Sequence, residues 1–516
     1  MKSYKNVFYI IIAAVLVFSC KDFEELEKNQ NRPTTAPASL VLNQVLNDLY
    51  ERPWSLEHRQ NQFSCCNYNY YGTNEYWGSA TLNFMTLKNV IKMEEEALRA
   101  GAGDVNPYSA LGKFLRAYFY VRMTQRVGDL PLSEALQGLE NVAPVYNTQK
   151  EIYIQVLNWL DEANADLAQL ITASDPTLAG DFYFNNDLVK WQKTVNTFKL
   201  RVLISLSKKE SDADLNVKAR FKAVLDNPAQ FPVMTSLDDN MEYAFNGTSN
   251  LYTTNPGNRG FDKGRYNMAE TLLGLMASLK DPRTYVVANP AKKKIANGVA
   301  PEDFSAYVGA PSGESLDDMT FKAGNGEYSY ANQKRYYTTF TGPENTIQIG
   351  YPELCFTIAE ALNRGWATGN AAEYYNKGIV ASMKFSGIED GTELEITEPD
   401  ADQVLAKVTV SVTTYMAQPA VAYAGNNAAG LEQIIEQKYL AFFQNSGQEA
   451  YFNYRRTGFP TFDVGPGTGN GGNIPVRWLY PVSETTNNTA NYKAALTRQF
   501  GSEVDDLDNA LWIDKN

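Results

Sequence analysis

Residues 151–170 read EIYIQVLNWLDEANADLAQL. Ile152, Val156, Leu160, Ala163, Leu167 and Leu170 fall at i, i+4, i+8, i+11, i+15 and i+18. That spacing lays one unbroken apolar stripe along an α-helix and fits no strand. Upstream, Leu111, Phe114, Leu115 and Tyr118 open another such helix, which ends near Gly128 with Pro131 beyond it. Downstream, Trp191, Val195, Phe198 and Val202 make a third. Pro352 stands at the N1 position of a helix carrying Leu354, Ile358, Ala361 and Leu362. That helix is expected to stop by Gly369, with Ala371 to Phe385 opening the next after a Gly-Asn turn. Leu431, Ile434, Ile435, Phe442 and Phe443 stripe a later helix, closed by Gly447. Antiparallel helix pairs with short turns are the local grammar of tetratricopeptide-like arrays, but no regular 34-residue repeat is present, so any structural repeat is degenerate. The helical blocks are separated by irregular stretches rich in Asn, Gly, Thr and Tyr at 60–80, 236–267, 286–347 and 458–495. Loops this long in a folded body are usually functional.

The first nineteen residues have the layout of an export signal: Lys2 and Lys5, then the uncharged run Val7 to Phe18, then Ser19-Cys20. A small residue before Cys suits lipoprotein processing, so Cys20 is the expected lipidation site; the alternative is an ordinary signal with an incidental Cys. No other stretch approaches the ~20 apolar residues of a membrane span, so the body is expected to be held by lipid alone. Residues 20–38 form a lipidated tether, polar and Pro-bearing from Asn29 onward, and residues 39–516 form one folded domain.

The chain carries 59 acidic residues and a formal net charge of −13. Loss of Lys2 and Lys5 with the signal leaves 44 basic residues and a charge of −15. Nucleic acid, which needs a basic footprint, is excluded as a partner. With Cys20 committed to lipid, Cys65, Cys66 and Cys355 remain. Cys355 reads as a small buried hydrophobe, and Cys65-Cys66 as two free thiols in preference to a vicinal disulfide. His58 is the one histidine, and its polar neighbours Glu57 and Arg59 make it an expected surface residue. A single histidine rules out His-rich zinc sites and leaves a Ser-His-Asp arrangement dependent on His58. Gly467 to Gly472 formally fits GxGxxG, but Asn473-Ile474-Pro475 follows where a dinucleotide fold needs a helix, so it reads as a loop. Asp238-Asp239 and Asp505-Asp506 lack EF-hand spacing, and neither a metal nor a cofactor is expected. With 59 acids some carboxylate pair at glycosidase spacing is inevitable, and nothing singles one out.

The aromatic residues are more informative. Tyr68, Tyr70, Tyr71, Tyr76 and Trp77 crowd one stretch with Asn67, Asn69, Asn74 and Glu75. A sugar offers C–H faces that stack on rings and hydroxyls that need amide or carboxylate partners, so Tyr71, Asn74, Tyr76 and Trp77 are candidate ligand contacts. Tyr252, Asn255, Arg259, Phe261 and Tyr266 form a second candidate loop. Tyr336, among Tyr328, Tyr330, Arg335 and Tyr337, belongs to a third. The competing reading is that these rings pack their loops onto the scaffold or face a protein partner. Trp478 and Tyr480 read as structural.

Four segments carry a family resemblance. They are Phe114 to Tyr120 leading to Val127-Gly128-Asp129-Leu130-Pro131-Leu132, then Tyr351-Pro352-Glu353-Leu354 with Ala359-Glu360-Ala361. The third is Glu432 to Phe443, followed by Glu449-Ala450-Tyr451 and Arg455-Arg456-Thr457-Gly458-Phe459-Pro460; the fourth is Ile474 to Pro481 with Glu484 and Asn487-Asn488. The chain thus resembles the SusD/RagB-type surface lipoproteins, closest to the branch described as starch-binding and outer-membrane-associating. The resemblance implies a mainly α, single-domain protein of tetratricopeptide-like helix pairs in a right-handed superhelical array with long loop-rich insertions. It further implies a non-catalytic lid on a SusC-like TonB-dependent transporter, capturing oligosaccharide or, in some members, peptide. The acidic stretch after Cys20 resembles the tag that sends Bacteroidetes lipoproteins to the outer face of the outer membrane, although an ordinary solvated tether is also acidic. A surface glycan hydrolase and a purely structural lid are the alternatives from other classes.

Overall fold

The computed structural model describes residues 35–76 and 78–515, so Cys20 and Trp77 lie outside the described residues. The stripe from Ile152 to Leu170 is buried along its whole length. Thr148 starts that helix: its hydroxyl accepts from the Glu151 N–H, and the Glu151 carboxylate accepts in return from the Thr148 N–H. The preceding helix begins at Pro107, earlier than the stripe alone indicates, because Asn106 caps it by accepting from the Tyr108 and Ser109 N–H groups. Gly128 ends it at φ +91, a conformation that favours glycine.

In chain order the main helices are α1 (Ala38–Leu49), α2 (Phe84–Arg99), α3 (Pro107–Val127), α4 (Gln149–Thr172), α5 (Leu188–Ser205) and α6 (Val217–Asp226). They continue with α7 (Tyr351–Asn363), α8 (Ala371–Phe385), α9 (Ala428–Ala441), α10 (Glu449–Thr457) and α11 (Thr489–Phe500). Neighbours in sequence pack as pairs, α1 on α2, α3 on α4, α4 on α5 and α7 on α8. The protein is mainly α, of tetratricopeptide-like helix pairs. Helix α7 stands between two apolar cores: Leu354, Ile358 and Leu362 join the core of α1–α6, while Phe356 and Ala359 join the core of α8–α10 and the loops. Each fully buried Leu, Ile or Phe in these cores contributes roughly 1.5–3 kcal/mol.

The segments that carried the resemblance meet here through buried charge. Arg201 of α5 donates to Glu353 of α7 (Nε to Oε1, 2.7 Å) and to the Gln348 carbonyl at 2.9 Å. Arg456 of α10 donates to Glu360 of α7, Nη2 to Oε2 at 2.8 Å, and to Asn453. Burial alone would raise the Glu360 carboxyl; Arg456, with help from Arg364 and Lys438, outweighs it and holds the group at about 2. The Tyr480 hydroxyl donates to the Asp129 carbonyl at 2.6 Å, joining the last segment to the first, while Arg498 pairs with Asp129 at 2.9 Å and Arg477 with Asp505. Tyr480 is buried and Trp478 packs against both cores, in keeping with structural roles.

Some expectations change. Helix α7 stops before Gly369 as expected, already at Asn363, because Gly365 turns the chain at φ +73. Helix α9 stops at Ala441, and Phe442 and Phe443 sit buried in the turn after it. The irregular stretch 286–347 holds short helices at Lys292–Ala296, Leu316–Gly324 and Gln333–Tyr336, and α11 begins inside 458–495. Among the described residues no helix is long and apolar enough to cross a membrane.

His58 departs most from expectation: it is fully buried, and neither ring nitrogen has a hydrogen-bond partner. It lies on the single-turn helix Leu56–Gln60, which turns apolar Leu56 to solvent and the imidazole inward, 5.7 Å from the Phe63 ring. Charged neighbours in sequence misled because successive helical residues face about 100° apart. Burial pushes the imidazole down to about 4, against the pull of Glu57.

Candidate functional site

Among the described residues four two-stranded antiparallel ribbons tie the loops together: β1 (Ser64–Cys66) with β5 (Tyr266–Met268), β2 (Leu130–Pro131) with β3 (Tyr146–Asn147), β4 (Met241–Tyr243) with β6 (Thr346–Ile349), and β7 (Glu393–Thr397) with β8 (Val404–Thr409). The β1–β5 register sets Cys66 opposite Tyr266, which brings the first and second candidate loops side by side. Adjacent strand positions point to opposite faces, so Cys65 reaches Ser312 while Cys66 reaches the Tyr68 carbonyl. Both thiols, and Cys355, are free and buried, and burial raises all three out of the reactive range.

Tyr68, Tyr70, Tyr71 and Tyr266 form a surface cluster at the end of this ribbon. Tyr70 is 84% exposed, Tyr68 is exposed, and Tyr71 and Tyr266 are half-buried. Tyr71 is the hub: its ring lies 5.4 Å from Tyr70 and 6.3 Å from Tyr266, both edge-on, and 6.2 Å from Tyr68. The Arg265 guanidinium stands 4.6 Å from the Tyr68 ring centroid and 5.7 Å from that of Tyr71; Arg59 stands 5.7 Å from that of Tyr266. Gly72 makes room for this, since at φ +132 a Cβ would come within 3.0 Å of the Arg59 guanidinium. Phe261, 68% exposed, is on the same second loop.

The remaining candidates build the loops instead of facing solvent. Asn74 is buried and closes residues 66–74, accepting from the Cys66 N–H at 2.7 Å and donating to its carbonyl at 2.9 Å. Asn255 does likewise, donating to the Tyr252 carbonyl and accepting from the Gly257 N–H. Tyr76 is 3% exposed and donates its hydroxyl to the Gln60 carbonyl. Tyr252 is buried against Phe245 and accepts from the Trp54 indole N–H. Tyr336 is 1% exposed, with Trp54 5.0 Å away. Of its neighbours in the third loop, Tyr328 and Tyr337 are buried as well. Buried rings anchor loops that lack regular backbone pairing, which is why so many tyrosines there turn inward. Sequence reasoning missed Arg59 and Arg265; only the strand register reveals that they stand over rings from another loop.

The second loop is also held from its far side. Arg259 pairs with Asp402 at 2.6 Å and Lys263 with Asp400 at 2.8 Å, both acids lying in the turn of the β7–β8 hairpin. Asp400 also meets Lys292, and its N–H donates to Gln333, whose amide donates to the Lys263 carbonyl. Rings with open faces, guanidinium planes and amides suit stacking and hydrogen bonding of a polyhydroxylated ligand. Among the described residues no group of three His, Cys, Asp or Glu is placed to hold a metal ion.

A family model for SusD-like proteins, described as starch-binding associating with outer membrane, matches residues 30–481. A SusD homologue from Bacteroides fragilis is 30% identical and superposes with a TM-score of 0.80, covering 93% of this chain and 100% of its own. Another from the same species is 30% identical with a TM-score of 0.77 and the same coverage. A chitin-binding SusD homologue from Flavobacterium johnsoniae is 21% identical, with a TM-score of 0.69 over 93% of this chain and 99% of its own; at that identity the likeness is one of fold. No curated protein matches the chain.

Proposed function

The chain belongs to the SusD-like family, and on that premise we propose that it is a non-catalytic cell-surface lipoprotein that binds oligosaccharide and passes it to a SusC-like TonB-dependent transporter. The observation that carries the reading is the solvent-facing cluster of Tyr68, Tyr70, Tyr71 and Tyr266 beneath Arg265. Rings left in water at a cost in apolar exposure are retained where a ligand covers them. The starch-binding description of the family and the chitin-binding homologue support a glycan as that ligand. Acylation of Cys20 would hold the protein at the outer membrane, facing outward, without a membrane span.

A glycan-array screen of the purified body tests the binding: retention of at least one neutral glycan, weakened in the Tyr70→Ala/Tyr71→Ala variant, is expected. Silence across the array would sink the reading, and release of new reducing ends would replace binding by hydrolysis. Cys20→Ser is expected to free the protein from the membrane fraction, and co-purification of the acylated protein with a TonB-dependent barrel checks the partner.

A further inference from the structure

A groove of about 570 Å³ runs along the outer face of α8, and none of its lining residues belongs to the tyrosine cluster. One wall is α8 from Glu373 to Lys384, some 16 Å of helix at ~1.5 Å per residue. The other is the Thr235–Asp238 turn, with Tyr351 of α7 beside it. That turn is built firmly: Thr235 donates its N–H (2.7 Å) and its hydroxyl (2.9 Å) to Asp239, which also pairs with Lys193. Between the walls lie Leu237, Val380 and the Tyr351 ring, and Val380 is left 45% exposed at mid-helix.

The volume lies within the ~300–1,000 Å³ range of small-ligand sites. Extended peptides draw much of their affinity from an open backbone edge, and here the long wall is a helix whose carbonyls and N–H groups are already paired. Recognition must come from side chains. Asp238, Glu373, Lys377 and Lys384 balance in charge, with Glu373 and Lys377 paired at 2.6 Å, so neither an anionic nor a cationic ligand is selected. Apolar patches flanked by Asn376, two carboxylates and two ammoniums match a neutral chain with C–H faces and hydroxyl edges.

We propose that this groove is a second oligosaccharide subsite, separate from the tyrosine cluster, for a short uncharged glycan segment lying along α8; the assignment rests on the reading of the protein as a glycan binder. Calorimetric titration and saturation-transfer NMR of the full chain with maltohexaose and, separately, chitohexaose test it. Two sites are expected for one of these sugars. Val380→Arg, which fills the groove from a half-exposed position, weakens one site by about tenfold or more at unchanged melting temperature. Asn376→Ala weakens the same site less, and Tyr70→Ala/Tyr71→Ala removes the other. Binding untouched by both groove variants but lost in the tyrosine variant overturns the subsite and leaves the proposed function standing. Binding lost in Val380→Arg alone upholds the groove and refutes the tyrosine cluster. No response to either sugar overturns the subsite, as does Val380-dependent capture of tetra-alanine in place of sugar.

Discussion

Glu360 and Arg456 are charged residues sealed inside the helical scaffold, whereas Tyr70 and Phe261 are aromatic residues standing in water on the loop face. The two regions invert the ordinary placement of charge outside and rings inside, and they do so for different reasons. Buried ion pairs contribute little net stability, because desolvation offsets most of their attraction, but a missing partner is heavily penalised. They therefore fix how α5, α7 and α10 fit together and say nothing about cargo. Exposed rings stabilise the fold little, and their energy is realised only when a ligand covers them. The residues that carry the family resemblance thus lie in the block that cannot meet a ligand, and the proposed ligand face carries little of it.

The largest effect is expected from breaking the scaffold side. Arg456→Ala strands Glu360 in the core and should cost about 3–5 kcal/mol. Arg364 also reaches that carboxylate, at 2.8 Å, which places the loss toward the lower end. A urea midpoint unchanged in this variant would dissolve the contrast. A second expectation concerns acid. The His58 imidazole is held at about 4 in the fold, below its ordinary ~6.5, so the unfolded chain binds the proton first. Its contribution is complete above ~6.5 and disappears as pH falls to about 4, a loss of about 3 kcal/mol. His58→Phe should remove this window from a plot of stability against pH, leaving the Glu360 effect, which sets in as pH falls below 4.5 and runs down to about 2.

On the loop face the magnitudes shrink and the readout changes. Tyr70→Ala/Tyr71→Ala should weaken glycan binding at the cluster by about 10- to 100-fold, at ~0.7–1.4 kcal/mol per ring. The melting temperature should hardly move; if stability fell as much as affinity, these rings would be core residues and the comparison would fail. Smallest is the hairpin contact. Asp400→Asn/Asp402→Asn should cost under ~1 kcal/mol of stability, as exposed ion pairs do. It should also abolish a modest fall in affinity with added NaCl expected of the wild type as the Arg259 and Lys263 pairs are screened.

What was legible in the sequence follows the same division. Ile152 to Leu170 and Trp191 to Val202 declared their helices because a core-facing stripe repeats, and Ala371–Phe385 was bounded by its own turn residues. Helix ends depended on single conformations such as Gly365 at φ +73, which periodicity does not encode. In the candidate site the tyrosine-rich stretches were visible, but Tyr71 and Tyr76 are chemically alike, and five residues of chain take one to the surface and the other to the core. Their fates are set by long-range pairings, Cys66 with Tyr266 and Tyr76 with Thr468, that no local pattern announces. His58 was misread for a local reason, since its charged sequence neighbours stand on other faces of the same short helix.

The amide closures at Asn74 and Asn255 make each loop its own small fold, tied to the body through a short ribbon and a few surface charges. Such loops can be exchanged between relatives, or lengthened, without redesigning a single helix. If the proposed ligand face is the true one, a lineage facing a new nutrient could change its cargo preference within these closures, and an engineer transplanting residues 66–74 together with 252–266 would be repeating that experiment.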